Sequence, residues 1–381
     1  VLMTPAAATV FGMVLKQGPV SRVEIAKRTG LSSAAVTKAA RPFLDAGYLE
    51  ELEATERSGP GAGRPASPLA VKPDREYFAG VKITDDELIG VVTDLRAQVV
   101  TSARRPLATR EADGVVAALA SLVRDLLAAD PAYRERCHCL GLAVSGDVDT
   151  SAGLVRYSPF LGWRQVLLGE LAARATGLAV TVENDVKALT VAEQWFGEGV
   201  GASSFALVTV GVGIGSGLVV ADQVVAGSRG VAGEIGHIPV GGSEPPCHCG
   251  GRGCAEAIAG TAPIVTAARA ATGDPELTID GAIEAAHAGH RGAAEVLAAA
   301  GDAIGLAMAA MANLFGPERI IVTGDVHGLT AYDRFEEQLR SSFSAQAFGA
   351  AADCRIVLRP RPFEQWARGA AATAIQTLFT H

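Results

Sequence analysis

A ten-residue loop, CHCGGRGCAE from Cys247 to Glu256, constrains this chain more than any other stretch. Three cysteines and a histidine are threaded with glycines that let so short a segment turn its sulfurs toward one point. In a reducing setting such clustering favours metal binding over disulfides. Thiolates are soft ligands, and Zn²⁺ takes four ligands in a tetrahedron. Cys247, Cys249 and Cys254 supply three. The fourth is a histidine. His248 lies inside the loop but is crowded by its ligating neighbours, whereas His237, ten residues upstream in GEIGHIPV, would pin a second element to the loop. The expected site is a structural zinc on His237, Cys247, Cys249 and Cys254. A redox role would call for C-x-x-C, which the sequence lacks. The other close pair, Cys137 and Cys139 around His138, has no evident fourth ligand.

At 381 residues the chain is long enough for two or three domains. Its longest uncharged apolar run, Phe205 to Ala221, is short for a membrane span and carries glycines through its middle. It reads as two buried strands joined by a glycine turn. The N-terminus lacks the basic region and cleavage site of an export signal, so a cytoplasmic protein without a membrane segment is expected. Formal charge is −8 overall but unevenly spread. Residues 1–72 hold nine Lys/Arg against six Asp/Glu, and the remainder holds 24 against 35. A mildly basic head on an acidic body suggests that any nucleic-acid contact is made by the head.

The head supports that division. Ser21 caps a helix with Glu24 three residues later, Gly30 stops it, and Ser32 caps a second helix on which Ala35, Val36, Ala39 and Leu44 recur at helical spacing. This is a helix-turn-helix pattern whose second helix would present Ser32, Ser33, Thr37, Lys38 and Arg41 to phosphates and base edges. Tyr48 to Glu53 and Pro68 to Val71 then read as two strands around a Gly/Pro-rich wing. At the wing tip, in GAGRPAS, Arg64 is placed to enter a minor groove. A small helical protein-interaction domain is the competing reading. The helix pair, wing and Gly-Arg-Pro tip together favour double-stranded DNA.

From residue 73 onward, strands and helices alternate as in an α/β fold. Tyr77 to Val92 gives two strands around an acidic turn, and Gln98 to Ser102 extends the meander. Residues 111–129 form an amphipathic helix, CLGLAVSGDVD a buried strand, AVTVENDV a strand followed by a loop, and ERIIVTGD a late strand. Alanine-rich helices are expected over 263–272, 280–315 and 362–379. Two such halves, each opening with a glycine-turned hairpin, suggest two lobes.

These motifs together resemble the ROK family of repressors, open reading frames and sugar kinases, over nearly all of 77–381. VENDVKALTVAE is similar to the family's E-N-D-A-N-A segment. GVGIGSGLVVADQVVAGSRGVAGEIGHIPV is similar to its glycine-rich signature, and CHCGGRGCAE to its zinc element. The resemblance implies an α/β, actin-like/hexokinase-type two-lobed fold behind a winged helix-turn-helix. Residues 1–72 would bind DNA, 73–184 with 363–381 would form the first lobe, and 185–362 the second lobe with the zinc site.

The resemblance also implies a sugar site of Asn184, Asp185, Glu234, His237 and Glu256, with Asp185 in the position of the kinases' general base. Carboxylates accept hydroxyls, and an amide both donates and accepts. The zinc would then orient His237 and the loop bearing Glu256. The family's phosphate motif D-x-G-G-T corresponds here to GVKITDD, with Lys82 for the Asp and Thr84-Asp85-Asp86 for the Gly-Gly-Thr turn. Gly211-Val212-Gly213 lacks the hydroxyl of the kinases' G-T-G, and Gly324-Asp325 carries an acid where a glycine pair is usual. Phe160, Ser145 and Ala259-Gly260-Thr261 also depart from the family pattern. The expectation is a sugar-responsive repressor without kinase activity, acting as a homodimer or homotetramer on operator DNA. An active sugar kinase with an accessory DNA-binding head, or a regulator that docks a protein, are the alternatives.

Overall fold

The computed structural model describes residues 4–53, 67–228, 230–242, 244–324, 329 and 332–379. Within them the chain divides into two compact units, Val1–Val200 with Trp366–His381, and Gly201–Gln365.

The first unit begins with α1 (Pro5–Gln17), α2 (Arg22–Thr29) and α3 (Ser33–Asp45), then β1 (Leu49–Glu51) paired antiparallel with β2 (Leu69–Val71). Ser21 Oγ accepts from Glu24 N–H and Ser32 Oγ from Ala35 N–H, both at 3.2 Å, so each hydroxyl satisfies an otherwise unpaired helix-start amide. Gly30 ends α2 at φ 71°, a left-handed turn that a side chain would strain. The buried face of α3 is Val36, Ala39, Ala40 and Phe43, so Phe43 takes the inward place expected of Leu44. Helix α1 has no counterpart in the sequence reading. Its Phe11, Val14 and Leu15 are buried and complete the head's core. Residues 54–66, including Arg64 and most of the wing, lie outside the described residues.

Behind the head stands a five-stranded sheet. It contains β3 (Tyr77–Ile83), β4 (Glu87–Asp94), β5 (Val99–Pro106), β6 (Cys137–Val144) and, beyond α4 (Ala112–Ala128), α5 (Pro131–Arg136) and α6 (Leu168–Thr176), β10 (Ala179–Asn184). A small sheet of β7 (Asp147–Asp149), β8 (Leu154–Ser158) and β9 (Trp163–Val166) lies between β6 and α6 in the chain. The strand order is β10-β6-β3-β4-β5. The β3-β4-β5 meander is antiparallel, and β6 and β10 join in parallel. One core of this unit holds Val81, Leu119, Leu122, Leu140, Leu142 and Leu168.

AVTVENDV is not followed by a loop. Helix α7 (Asp185–Phe196) starts at once, because Asn184 serves as its N-cap and its Oδ1 accepts from Lys187 N–H at 3.2 Å. Helix α7 packs on this sheet, with Ala188 in one cluster with Ala143 and Ala370. The unit boundary therefore falls at Val200/Gly201 and not at the expected 184/185.

The second unit repeats the plan. Its strands are β11 (Phe205–Val210), β12 (Ile214–Val220), β13 (Gln223–Val224), β14 (Arg319–Gly324) and β15 (Arg355–Leu358), in the order β13-β12-β11-β14-β15. Again three antiparallel strands lead and two parallel ones follow. The helices are α8 (Ala255–Ala259), α9 (Thr261–Thr272), α10 (Ile279–His287), α11 (Arg291–Phe315) and α12 (Asp333–Gln346). The helix expected over 280–315 is two, broken at Gly289 (φ 90°) with His290 capping α11. Helix α11 is long and apolar enough to cross a membrane, but Leu297, Ile304, Met308 and Met311 are buried in the unit's core.

Helix α13 (Glu364–Gln376) returns the chain to the first sheet. It comes so close that a Cβ on Gly80 of β3 would overlap the Ala367 carbonyl oxygen, and one on Gly141 of β6 that of Ala370. Glycine is required at both places. We expect Gly141→Ala to cost about 1–3 kcal/mol or more by overpacking against backbone that has no rotamer to change. Urea unfolding followed by circular dichroism checks this, and an unchanged midpoint would refute the close-packing account.

Candidate functional site

The chemistry-bearing residues of the second unit gather where the glycine-rich signature meets the cysteine loop. Gly233 and Gly236 lie against β12, where a Cβ on either would strike the backbone oxygen of Ser216 or Ile214. That contact fixes the short 3₁₀ turn Ile235–His237. The cysteine loop closes on itself through Cys247 N–H to Gly251 O at 2.9 Å and Gly250 N–H to Cys247 O at 3.0 Å. Ala255 N–H reaches Ile238 O at 3.0 Å and ties the loop's end to the histidine's turn.

As a result His237, Cys247, Cys249 and Cys254 bring their ligand atoms within 4.8 Å of one another. Cys249 Sγ lies 3.8 Å from Cys254 Sγ, and Cys247 Sγ lies 3.6 Å from His237 Nδ1. A tetrahedron with arms of about 2.3 Å has edges of about 3.8 Å, so the donor set has the size and softness that zinc requires. His237, not His248, completes it with the three thiols. A second grouping of His237, Cys247, His248 and Glu256 is equally compact but has only one sulfur. The thiols are poised unequally. The Gly251 N–H and the neighbouring thiols hold Cys249 below its ordinary pKa, while burial and the same neighbours push Cys254 up to about 12. Three clustered sulfurs resist collecting three negative charges without a cation.

Glu256, in the first turn of α8, accepts from Ile214 N–H at 2.8 Å and meets His248 Nε2 at 2.5 Å. It thus links the cysteine loop to the Gly211–Gly213 turn. The contact with His248 was not foreseen from the sequence. Glu234 precedes the 3₁₀ turn and is exposed.

In the first unit, Asn184 and Asp185 begin α7. Asn184 Nδ2 donates to Gly146 O at 3.0 Å. Asp185 is 7% exposed and forms an ion pair with Lys82, while Ser145 Oγ donates to it at 2.5 Å. Burial alone would raise the Asp185 pKa, but the Lys82 charge and these hydrogen bonds hold it below the usual carboxylate range. The sequence reading placed Lys82 in the altered phosphate motif without finding its partner. A lysine inside the apolar strand FAGVKI was the available signal, since a buried cation needs a counter-charge.

The turn after Lys82 is closed by its own side chains. Thr84 Oγ1 accepts from Glu87 N–H at 2.9 Å and donates to Asp86 at 2.7 Å, and Arg110 pairs with Asp85 at 2.8 Å. On the head, Ser32, Ser33, Thr37, Lys38 and Arg41 are all exposed along α3 and its cap, and Arg41 pairs with Asp45 at 2.9 Å. Arg64 and Asp325 lie outside the described residues.

Comparison with known proteins gives these residues a context. A family model described as "ROK family" matches residues 78–377. The chain is 28% identical over 327 residues to the DNA-binding transcriptional repressor Mlc of Escherichia coli (strain K12), spanning 83% of this chain and 80% of that protein. A solved ROK family transcriptional regulator, described as a homologue of E. coli MLC, is 26% identical and matches with a TM-score of 0.81. It covers 98% of this chain, and the match takes in 96% of its own. ROK hexokinase from Thermus thermophilus, also 26% identical, matches with a TM-score of 0.69 and is covered whole by 80% of this chain.

Zinc uptake by the cysteine cluster is expected at one equivalent per chain, with a three-sulfur, one-nitrogen shell in X-ray absorption. At pH 7 about two to three protons should be released as it binds, because thiols must ionise to ligate. Apparent affinity should therefore fall as pH falls. Cys249→Ala should lose the metal. Less than half an equivalent in protein purified without chelator would count against the site.

Proposed function

Because the chain belongs to the ROK family and carries a helix-turn-helix head on that family's body, we propose that it is a sugar-responsive DNA-binding repressor without kinase activity. The extent of the comparisons supports this. The regulator structure is matched over nearly the entire chain, head included, whereas the hexokinase is exhausted by four-fifths of it.

The observation that carries the reading is the fastening of the head. Phe11 of α1 stacks on Phe43 of α3 with ring centres 4.4 Å apart, and on Phe379 at 5.5 Å. Phe379 meets Trp195 of α7 edge-on at 5.1 Å, and Lys16 of α1 lies 4.3 Å over the Trp195 ring. Helix α7 therefore carries Asn184 and Asp185 at one end and the head's anchor at the other, about 15 Å along its axis. Displacement of its N-terminus by a ligand would reach the DNA-reading helix through contiguous rings. A kinase has no use for such a link.

In this reading α3 enters the major groove with Ser32, Ser33, Thr37, Lys38 and Arg41, Arg64 reaches the minor groove, and a homodimer or homotetramer meets a palindromic operator. The sugar's proposed contacts are Asn184, Asp185, Glu234, His237 and Glu256. Zinc on His237, Cys247, Cys249 and Cys254 has a structural role, fixing His237 and the loop that ends at Glu256. Kinase chemistry needs amides that cradle phosphate. Here the corresponding turn is closed by Thr84 and crowned by Asp85 and Asp86. Asp185, in the base position, is already paired with Lys82.

Fluorescence anisotropy on a palindromic operator, with thermal-shift screening of monosaccharides and amino sugars, tests the whole. Expected are operator binding that weakens steeply with salt, at least one stabilising sugar, and no ADP release with any hexose. Turnover of about 1 s⁻¹ or faster would reverse the reading in favour of a kinase. Arg64→Ala should weaken binding more on A/T-flanked than on G/C-flanked sites. Phe379→Ala should leave sugar binding intact and bring the sugar's effect on operator affinity from the roughly 5–150-fold usual for allosteric coupling toward none. An undiminished effect would show that coupling runs elsewhere.

A further inference from the structure

Strand β3 carries a cation into the sheet. Lys82 is 4% exposed, and its ammonium donates to Ser145 Oγ at 3.0 Å, pairs with Asp185 Oδ2, and lies 5.6 Å from the Trp366 ring centre. Ser145 Oγ donates to the same Oδ2, and Val186 N–H donates to Oδ1 at 2.9 Å. An ionised carboxylate offers about four lone-pair sites. On Asp185 three are thereby filled, two on Oδ2 and one on Oδ1.

We propose that Lys82 is a positioning residue that fixes Asp185 as an ionised acceptor with one open site, on Oδ1. Asp185 then takes a single hydrogen bond from a ligand hydroxyl and cannot serve as a base. A general base must bind the proton it removes, and a carboxylate held ionised by an adjacent ammonium does this poorly at neutral pH. Lys82 acts through charge, Ser145 through a neutral donor, and Trp366 only on the lysine. The hydroxyl partner rests on the sugar-binding reading above. The state of Asp185 does not, and it can be measured without any ligand.

The test is ¹³C NMR of the aspartate side-chain carboxyls against pH, with the Asp185 signal identified by its loss in Asp185→Asn. In the wild-type protein Asp185 should stay ionised below the pH at which ordinary carboxylates titrate. Lys82→Met removes the cation and leaves burial in control, so the midpoint should move upward. Lys82→Arg should bring it back down. Ser145→Ala keeps the cation and should give a smaller upward shift, while Lys82→Gln, which keeps a donor and removes the charge, decides the matter if Lys82→Met does not fold. A purely space-filling lysine would leave the midpoint in place in every folded Lys82 variant, and that result overturns the proposal. So does a wild-type Asp185 that titrates at or above the ordinary range. Failure of every sugar to bind would sink the sugar-responsive reading while leaving this result standing.

Discussion

Helix α13 lies so close to the first sheet that its backbone touches the backbone of β3 and β6, and the arrangement of the N-terminal unit follows from that approach. Close contact is possible because Gly80 and Gly141 present no side chain, and Gly369 of α13 likewise admits the backbone of α7 at Ala188 and Leu189. The two helices and the sheet form one slab held by backbone proximity, not by large side chains, which suits a chain with 5% aromatic residues. Two consequences flow from it. Trp366 is delivered to the face of the sheet where Lys82 lies. The residues after α13 then reach the head, so that Phe379 closes the aromatic series from Trp195 to Phe43. Arg368 adds a further tie by donating to Ala97 O at 2.7 Å.

The second unit solves a different problem. The same strand order is present, but the described residues between Gly227 and Cys254 are largely irregular backbone, broken by the short 3₁₀ turn Ile235–His237. Glycine carries it at both ends. Gly233 adopts φ 100° against β12, and Gly253 adopts φ 66° where its carbonyl accepts from Val240 and Gly241 N–H at 2.7 and 2.9 Å. Ile235, Ile238 and Val240 tie part of the segment to the unit's core, and the four-donor cluster could fasten the rest by holding a metal, as metals do in small domains.

Much of this was legible in the sequence because it rests on local chemistry. The caps at Ser21 and Ser32, the glycine stop at Gly30, the hairpin across Gly211–Gly213 and the ligand spacing of the cysteine loop each depend on a few neighbouring residues. What escaped depends on contacts distant in sequence or on ambiguous signals. Helix α1 begins PAAATVFG, where alanine and glycine blur the apolar period, and only Phe43, Tyr48 and Phe379 reveal why Phe11 is inward. Asn184-Asp185 read as a loop because both residues favour turns, although the same preference makes asparagine a strong N-cap. The pairing of Lys82 with Asp185 spans 103 positions and has no local trace beyond a lysine in an apolar strand.

That pair also bears on the proposed difference between a repressor and a kinase built on one architecture. A lysine in a phosphate loop would ordinarily attract phosphate. Here its charge is spent on Asp185 over a hydrogen-bond distance, where the attraction greatly exceeds anything available from a solvated anion farther off. With Lys82 present, the charge of the Asp185 carboxylate is answered inside the fold. Asp85 pairs with Arg110 and the Thr84 hydroxyl donates to Asp86, so both acidic side chains of the turn have partners. What stands at the start of α7 is a paired carboxylate, as the proposed role of holding a sugar without phosphoryl transfer would require.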